Sequence, residues 1–197
     1  MSKLAIDPAK AVGILLAAGR GRRFDPAGQR NKLHQLLPDG SPVALASARH
    51  LLAAVPTVLA VVRADDELLP AQLLTLGCTV SPCVEADQGM GVSLVHGLRQ
   101  CAEASMWLIA LGDMPHVQPS TLALLLRAIE AGADIAVPVH AGRRGNPVAF
   151  SRRHLAELLL LDGDQGARRL LKTQTVCEVL VDDRGVLQDI DLPTDLD

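Results

Sequence analysis

Short apolar runs rich in Val, Ile and Leu alternate with longer segments of helical period along almost the whole chain. No other feature constrains the fold as strongly. The runs predict strands over residues 11–17, 57–63, 78–83, 107–111, 133–139, 146–150 and 176–181, and the longer segments predict helices over 43–54, 66–76, 91–104, 119–131, 152–161 and 165–173. Ser41-Pro42 is placed to cap and open the first helix, Pro119-Ser120 to open the fourth, and Gly132 to stop it. Runs such as Val58 to Val62 and Trp107 to Leu111 are apolar at every position, which suits strands covered on both faces, as in a parallel sheet. The expectation is one domain over residues 1–197, a doubly wound α/β layer with a mostly parallel sheet. Active groups then belong in the loops at the carboxyl ends of the strands, above all where the strand order switches.

Composition narrows the function. Nineteen Lys and Arg stand against 22 Asp and Glu, a formal charge of −3, and aromatic residues make up 2% of the 197. Neither a basic surface nor a stacking platform for nucleic acid is implied. No apolar run approaches the roughly 18–20 residues of a membrane span. The charged N-terminal stretch around Asp7 and Lys10 does not read as a signal peptide, so a cytoplasmic protein is expected. Cys78, Cys83, Cys101 and Cys177 form no C-x-x-C pair; reduced, mostly buried thiols are expected rather than zinc ligands.

Four segments after or between the strands carry chemistry. In the first, Gly13 to Ala18 leads through Gly19 and Gly21 into clustered cations; with Arg30 and Lys32, five positive charges fall between residues 20 and 32. Small residues let backbone N–H groups approach phosphate oxygens while Arg and Lys neutralise them. The pattern is neither a Walker loop nor a G-x-G-x-x-G turn, and a solvated basic loop is the plain alternative. In the second, an apolar strand ends at Gly112-Asp113-Met114-Pro115; a carboxylate held there suits Mg²⁺, or simply caps the next helix. The third, Glu85 to Leu98, exposes backbone at Gly89 and Gly91 and adds the Ser93 hydroxyl. It reads as a base-recognition loop or as an ordinary way into a helix, with His96 packed or solvated on that helix. The fourth comprises Arg143-Arg144-Gly145-Asn146-Pro147, the Asp164-Gln165-Gly166-Ala167-Arg168 turn, and the acidic tail Asp189-Ile190-Asp191-Leu192-Pro193-Thr194-Asp195.

Taken in order, these runs resemble the nucleotidyltransferases typified by molybdenum cofactor cytidylyltransferase, of the MobA-like superfamily. Leu16-Ala17-Ala18-Gly19 followed by Arg23 and Lys32-Leu33 is similar to that family's signature loop. Gly112-Asp113-Met114-Pro115 and Asp189-Ile190-Asp191 are similar to its metal-binding segments, Gly89 to Leu98 to its nucleoside run, and Arg144 to Phe150 and Asp164 to Arg168 to its acceptor-side motifs. Departures are Gly21 in place of a small hydroxyl residue, Phe24 in place of Met, extra residues from Asp25 to Arg30, Leu192 and Thr194 in the tail, and Asn146 in a His position, which removes titration there.

The resemblance implies a glycosyltransferase-A-like, Rossmann-like fold, with a nucleotide-binding part over about 11–115 and an acceptor-binding part over about 116–197. Nucleotide contacts would come from Leu16, Ala17, Ala18, Gly19, Arg20, Gly21, Arg23, Lys32, Gly89 and Ser93. Arg23, Lys32 and Asp113 would be the catalytic set, Asp113 and Asp191 the ligands of Mg²⁺ (or Mn²⁺), and Arg144, Asn146 and Arg168 the acceptor contacts, with Arg143 and Arg169 near. Ala18, where guanylyltransferase relatives carry Gly, favours CTP, and the implied acceptor is the phosphate of molybdopterin. A molybdoenzyme or its maturation chaperone is a possible protein partner; nucleic acid and membrane are not. Three alternatives stand: a relative using GTP or a sugar or alcohol phosphate, a nucleotide-binding module without catalysis, and a plain interaction domain.

Overall fold

The computed structural model describes residues 10–163 and 166–196. Among the described residues eight strands form one sheet: β1 (Ala11–Ala17), β2 (Val58–Arg63), β3 (Thr79–Cys83), β4 (Met106–Leu111), β5 (Ile135–His140), β6 (Arg143–Arg144), β7 (Val148–Ser151) and β8 (Cys177–Leu180). They run in the order β3-β2-β1-β4-β7-β5-β6, with β8 on β5. β3, β2, β1 and β4 are mutually parallel; β7 runs antiparallel to β4 and β5, β6 antiparallel to β5, and β8 parallel to β5. The sheet is therefore mostly parallel, and its order switches at β1, which lies between β2 and β4.

Alternation along β1 assigns its side chains to two cores. Leu15 and Ala17 pack with α1 (Val43–Ala54), α2 (Leu69–Leu76) and α4 (Pro119–Glu130). Val12, Ile14 and Leu16 pack with α3 (Met90–Gln100), α5 (Leu155–Leu158) and α6 (Arg168–Thr173) on the other face. Continuous apolar strands are what a sheet covered on both faces demands, and Val58 to Val62 are buried throughout. Gly97 lets α3 lie on the sheet: a Cβ there would come 2.9 Å from a Val61 methyl.

Pro119 opens α4, and Gly132, at φ +106°, stops it by donating its N–H to Ile129. Other expectations are corrected. Ser41 does not cap α1: Pro42 holds the cap position, and the Ser41 hydroxyl accepts a hydrogen bond from Arg49 instead. The helix expected over 152–161 is a 3-10 turn, Arg152–His154, running into the four residues of α5, because Arg152 is drawn to the carbonyls of Ala102 and Ala104. β6 was not expected; it forms as a tight return on β5 through Ala141 and Gly142, both at positive φ. The helix expected from 165 begins at Arg168, and Asp164 and Gln165 lie outside the described residues.

Candidate functional site: an anion cradle beside three carboxylates

The switch between β1 and β4 brings two loops together. Leu16 accepts the Gly112 N–H at 2.9 Å, and a Cβ on Gly112 would come 3.1 Å from the Ala17 Cβ, so a side chain here would push the loops apart by a few tenths of an ångström. The buried Ser47 hydroxyl, 3.0 Å from the Gly112 carbonyl, fixes the turn from below. Asp113 therefore leaves the sheet at a defined place and direction.

Over this edge opens a cleft of about 370 Å³. Among its walls are Leu16, Ala18, Gly19, Arg20, Gly21 and Lys32 from the first loop, Gly89 and Ser93 from the start of α3, and Asp113. Nine residues expected at the site from sequence thus face one space. Nothing lies within 4 Å of where a Gly19 Cβ would be, so the backbone there is bare toward the cleft, while Gly21, at φ +63°, lies against the Lys32 side chain. Ala17 is turned away into the α1 side of the core.

The carboxylates meet beside the cleft. Asp113, Asp189 and Asp191 each place an oxygen within 4.8 Å of the others. The tail reaches Asp113 because the Ile190 N–H donates to the Asp113 carbonyl at 2.8 Å, while the Ile190 side chain packs with Phe24, Leu37, Val43 and Ala46. Cations already balance the trio. Lys32 Nζ lies 2.6 Å from Asp113 and 2.9 Å from Asp191, and Arg23 reaches the other Asp191 oxygen at 2.5 Å. Burial opposes the Lys32 charge, but Asp113 and Asp191 outweigh it and hold the ammonium above its ordinary range. Burial likewise opposes ionisation of Asp191, and Lys32 overcomes it; Asp189, with burial and Asp191 both against it, is raised. Asp113 Oδ1 is buried with no hydrogen-bond partner among the described residues. A buried carboxylate oxygen lacking a donor, in a cluster of three acids, is a donor set that suits a hard divalent cation.

The extra residues 25–30 leave Lys32 in place. Asp25 accepts the N–H groups of Ala27, Gln29 and Arg30 at 3.0, 2.8 and 2.7 Å, which ties the insertion into a closed turn. Phe24 anchors its start in the core, with Arg30 stacked 5.5 Å from the ring centroid. Asn31 then caps the short turn that carries Lys32.

Two features went unread in the sequence. Asp189 belongs to the trio; in an extended D-I-D segment, residues two apart share a side, so the spacing held that signal. Arg63, ending β2, pairs with Asp65 and Asp87, and Asp87 also grips Arg20 at 2.6 Å. These contacts with Arg20 and Arg63 hold the Asp87 carboxyl well below the usual range. Three strand-end loops are thereby tied together at the cleft rim.

The acceptor-side residues stand elsewhere. Arg144 lies on β6 against Glu178 at 2.7 Å, Asn146 precedes the cis bond to Pro147 with its N–H donated to Val186, and Arg168 opens α6. None of the three lines the 370 Å³ cleft.

A three-layer α/β domain with a bare-backbone, cation-lined cleft and converging carboxylates at its sheet switch belongs to the class that handles phosphorylated ligands. The family model for the MobA-like NTP transferase domain matches residues 13–179, and the chain belongs to that family. The purine catabolism protein PucB of Bacillus subtilis (strain 168) is 31% identical over 198 residues, covering 94% of each chain. The crystal structure of Rv0371c from Mycobacterium tuberculosis H37Rv is 26% identical with a TM-score of 0.76 over 96% of both chains, and a second structure of Rv0371c holds manganese. A nucleotidyl transferase from Methanothermobacter thermautotroptrophicus is 25% identical, TM-score 0.77, over 94% of both.

Proposed function

We propose that this nucleotidyltransferase moves CMP from CTP to the terminal phosphate of molybdopterin, in its molybdenum-bearing or metal-free form, and releases pyrophosphate. Nucleotide binding is assigned to the part over about 11–115 and acceptor binding to about 116–197. The observation that carries this reading is the convergence of Asp113, Asp189 and Asp191 on the edge of a cleft floored by Leu16, Ala18 and Gly19.

An acceptor phosphate oxygen forms a bond to the α-phosphorus while the bond from that phosphorus to the bridging oxygen breaks, and the electron pair leaves on pyrophosphate. The acceptor is anionic at neutral pH, so no general base is required, and the chain's work is positioning and charge stabilisation. Asp113 and Asp191, with Asp189 beside them, would hold Mg²⁺ or Mn²⁺; the ion supplies charge neutralisation on the nucleotide phosphates. That the similar Rv0371c was crystallised as a manganese complex supports the use of a divalent ion. Backbone N–H groups from Ala18 to Gly21 face the triphosphate, and Arg20, Arg23 and Lys32 offset charge on the leaving pyrophosphate. Gly89 and Ser93 border the nucleoside, and Ala18, where guanylyltransferase relatives carry Gly, favours CTP. Arg144, Asn146 and Arg168 meet the acceptor.

The test is pyrophosphate release measured for each NTP against a panel of phosphorylated acceptors with Mg²⁺. Turnover with CTP and molybdopterin is expected; turnover with GTP and not CTP overturns the base assignment, and release with a sugar or alcohol phosphate alone overturns the acceptor.

A further inference from the structure

Behind the cleft wall lies a second group of metal-binding side chains. Cys83 ends β3, Glu85 stands in the turn after it, and His96 is on α3, and one ligand atom of each lies within 4.8 Å of the other two. We propose that this thiol, carboxylate and imidazole bind one zinc-class transition-metal ion, at a site separate from the Asp113 trio.

The donor set argues for that class. Thiolate sulfur and imidazole nitrogen select borderline-soft ions, whereas Mg²⁺ requires oxygen ligands in octahedral array. Three protein ligands leave a fourth tetrahedral position for water, and the exposed Glu85 opens the site to solvent while Cys83, 1% exposed, closes it from below. The imidazole is already oriented. Its Nε2 lies 2.8 Å from the Ser81 hydroxyl, to which the Gln100 amide also donates. The tautomer with its proton on Nε2, donated to the Ser81 oxygen, leaves the Nδ1 lone pair for the ion, and such outer contacts are how metal-ligating histidines are held.

Burial favours the neutral imidazole, the form that ligates. Burial also raises the Cys83 thiol, against the Glu85 backbone N–H and the Ser93 hydroxyl, which favour the thiolate. The positive charges of Arg63 and Arg99 bear on the site as well. When the sulfur–metal bond forms, the thiol proton passes to solvent. Ser93 also lines the nucleotide cleft, so the ion stands one side chain behind its wall.

The experiment is a Co²⁺ titration of the full chain in excess Mg²⁺, read by the near-ultraviolet thiolate-to-cobalt absorption and reversed with Zn²⁺. One equivalent of Co²⁺ is expected to give the band. It should vanish in Cys83→Ser, weaken by about tenfold or more in affinity in His96→Gln, and persist in Asp113→Asn and Cys177→Ser. Absence of the band in the unsubstituted protein overturns the site, as does its survival in Cys83→Ser or its loss in Cys177→Ser. Circular dichroism of the two ligand variants establishes that they fold, and His96→Gln keeps the test decisive should Cys83→Ser not.

Discussion

The halves of the sheet are built differently. From β1 to β4 the strands are parallel, five to seven residues long, and end on one edge. From β5 to β8 they are mixed in direction and two to six residues long, helices of four and six residues lie between β7 and β8, and β8 is largely exposed. The first half presents chemistry at fixed strand ends; the second depends on chain threading. Gly145 passes so close to Val186, and Gly185 to His116, that a Cβ on either would come 2.2 Å from a carbonyl oxygen. The buried Asp183 locks the same crossing, accepting from the Gln118 N–H at 2.9 Å and the Thr121 hydroxyl at 2.7 Å. Through that crossing the tail returns Asp189 and Asp191 to Asp113, so the trio draws on both halves.

The largest effect is expected where the halves meet. Asp113→Asn should lower kcat by about 10³-fold, equivalent to about 4 kcal/mol, if the charge stabilisation assigned to the trio is correct. Thermal unfolding should show the fold intact, and a variant with unchanged pyrophosphate release would remove the assignment.

A glycine pair separates threading from chemistry. Gly185→Ala should cost about 3 kcal/mol of stability, since the obstructing atoms are backbone and have nowhere to move. Gly19→Ala, opening onto empty space, should change stability by less than about 0.5 kcal/mol. The cleft in front of Gly19 is where phosphates are assigned, so that variant should instead raise KM for CTP. Equal unfolding midpoints for the two variants would break the contrast between the halves.

Lys32 offers a smaller, sharper measurement. Its ammonium stands among the carboxylates that would hold a metal, so Lys32→Met should bind Mn²⁺ about tenfold more tightly while melting lower in its absence, because the carboxylates lose their paired cation. Electron paramagnetic resonance of free Mn²⁺ reads the affinity directly; weaker binding in Lys32→Met would show that lysine and metal do not compete.

Most of the first half was legible in the sequence because its signals are local. An apolar run, a glycine and a charged loop recur at each strand end, and the positions of Gly19, Arg20, Lys32 and Asp113 follow from them. The second half was read less well because contacts distant in sequence decide it. Arg152 is drawn to the carbonyls of Ala102 and Ala104 where a helix pattern opens as a 3-10 turn, and β6 owes its existence to a return at Ala141 and Gly142. That Asp191 would find Asp113 could be inferred only through a family resemblance; the alternation that adds Asp189 was present in the spacing but went unused.

The cysteines give the mildest contrast, and it needs alkaline pH to show. Burial pushes the thiol of Cys101 up to about 12 and that of Cys78 up to about 11. Unfolded thiols ionise near 8.5, so above that pH the unfolded chain has lost protons that the folded chain retains. Stability must then fall as pH rises, by up to about 1.4 kcal/mol per pH unit for each such thiol until its folded value is reached. At neutral pH the term vanishes. Cys101→Ala should therefore flatten the alkaline limb of the unfolding midpoint relative to the unsubstituted protein. Cys177 is exposed on β8 and not shielded by the core. A disulfide reagent should label Cys177 first in the folded protein. An alkaline limb unchanged by Cys101→Ala would mean that Cys101 is not shielded in solution as its burial requires.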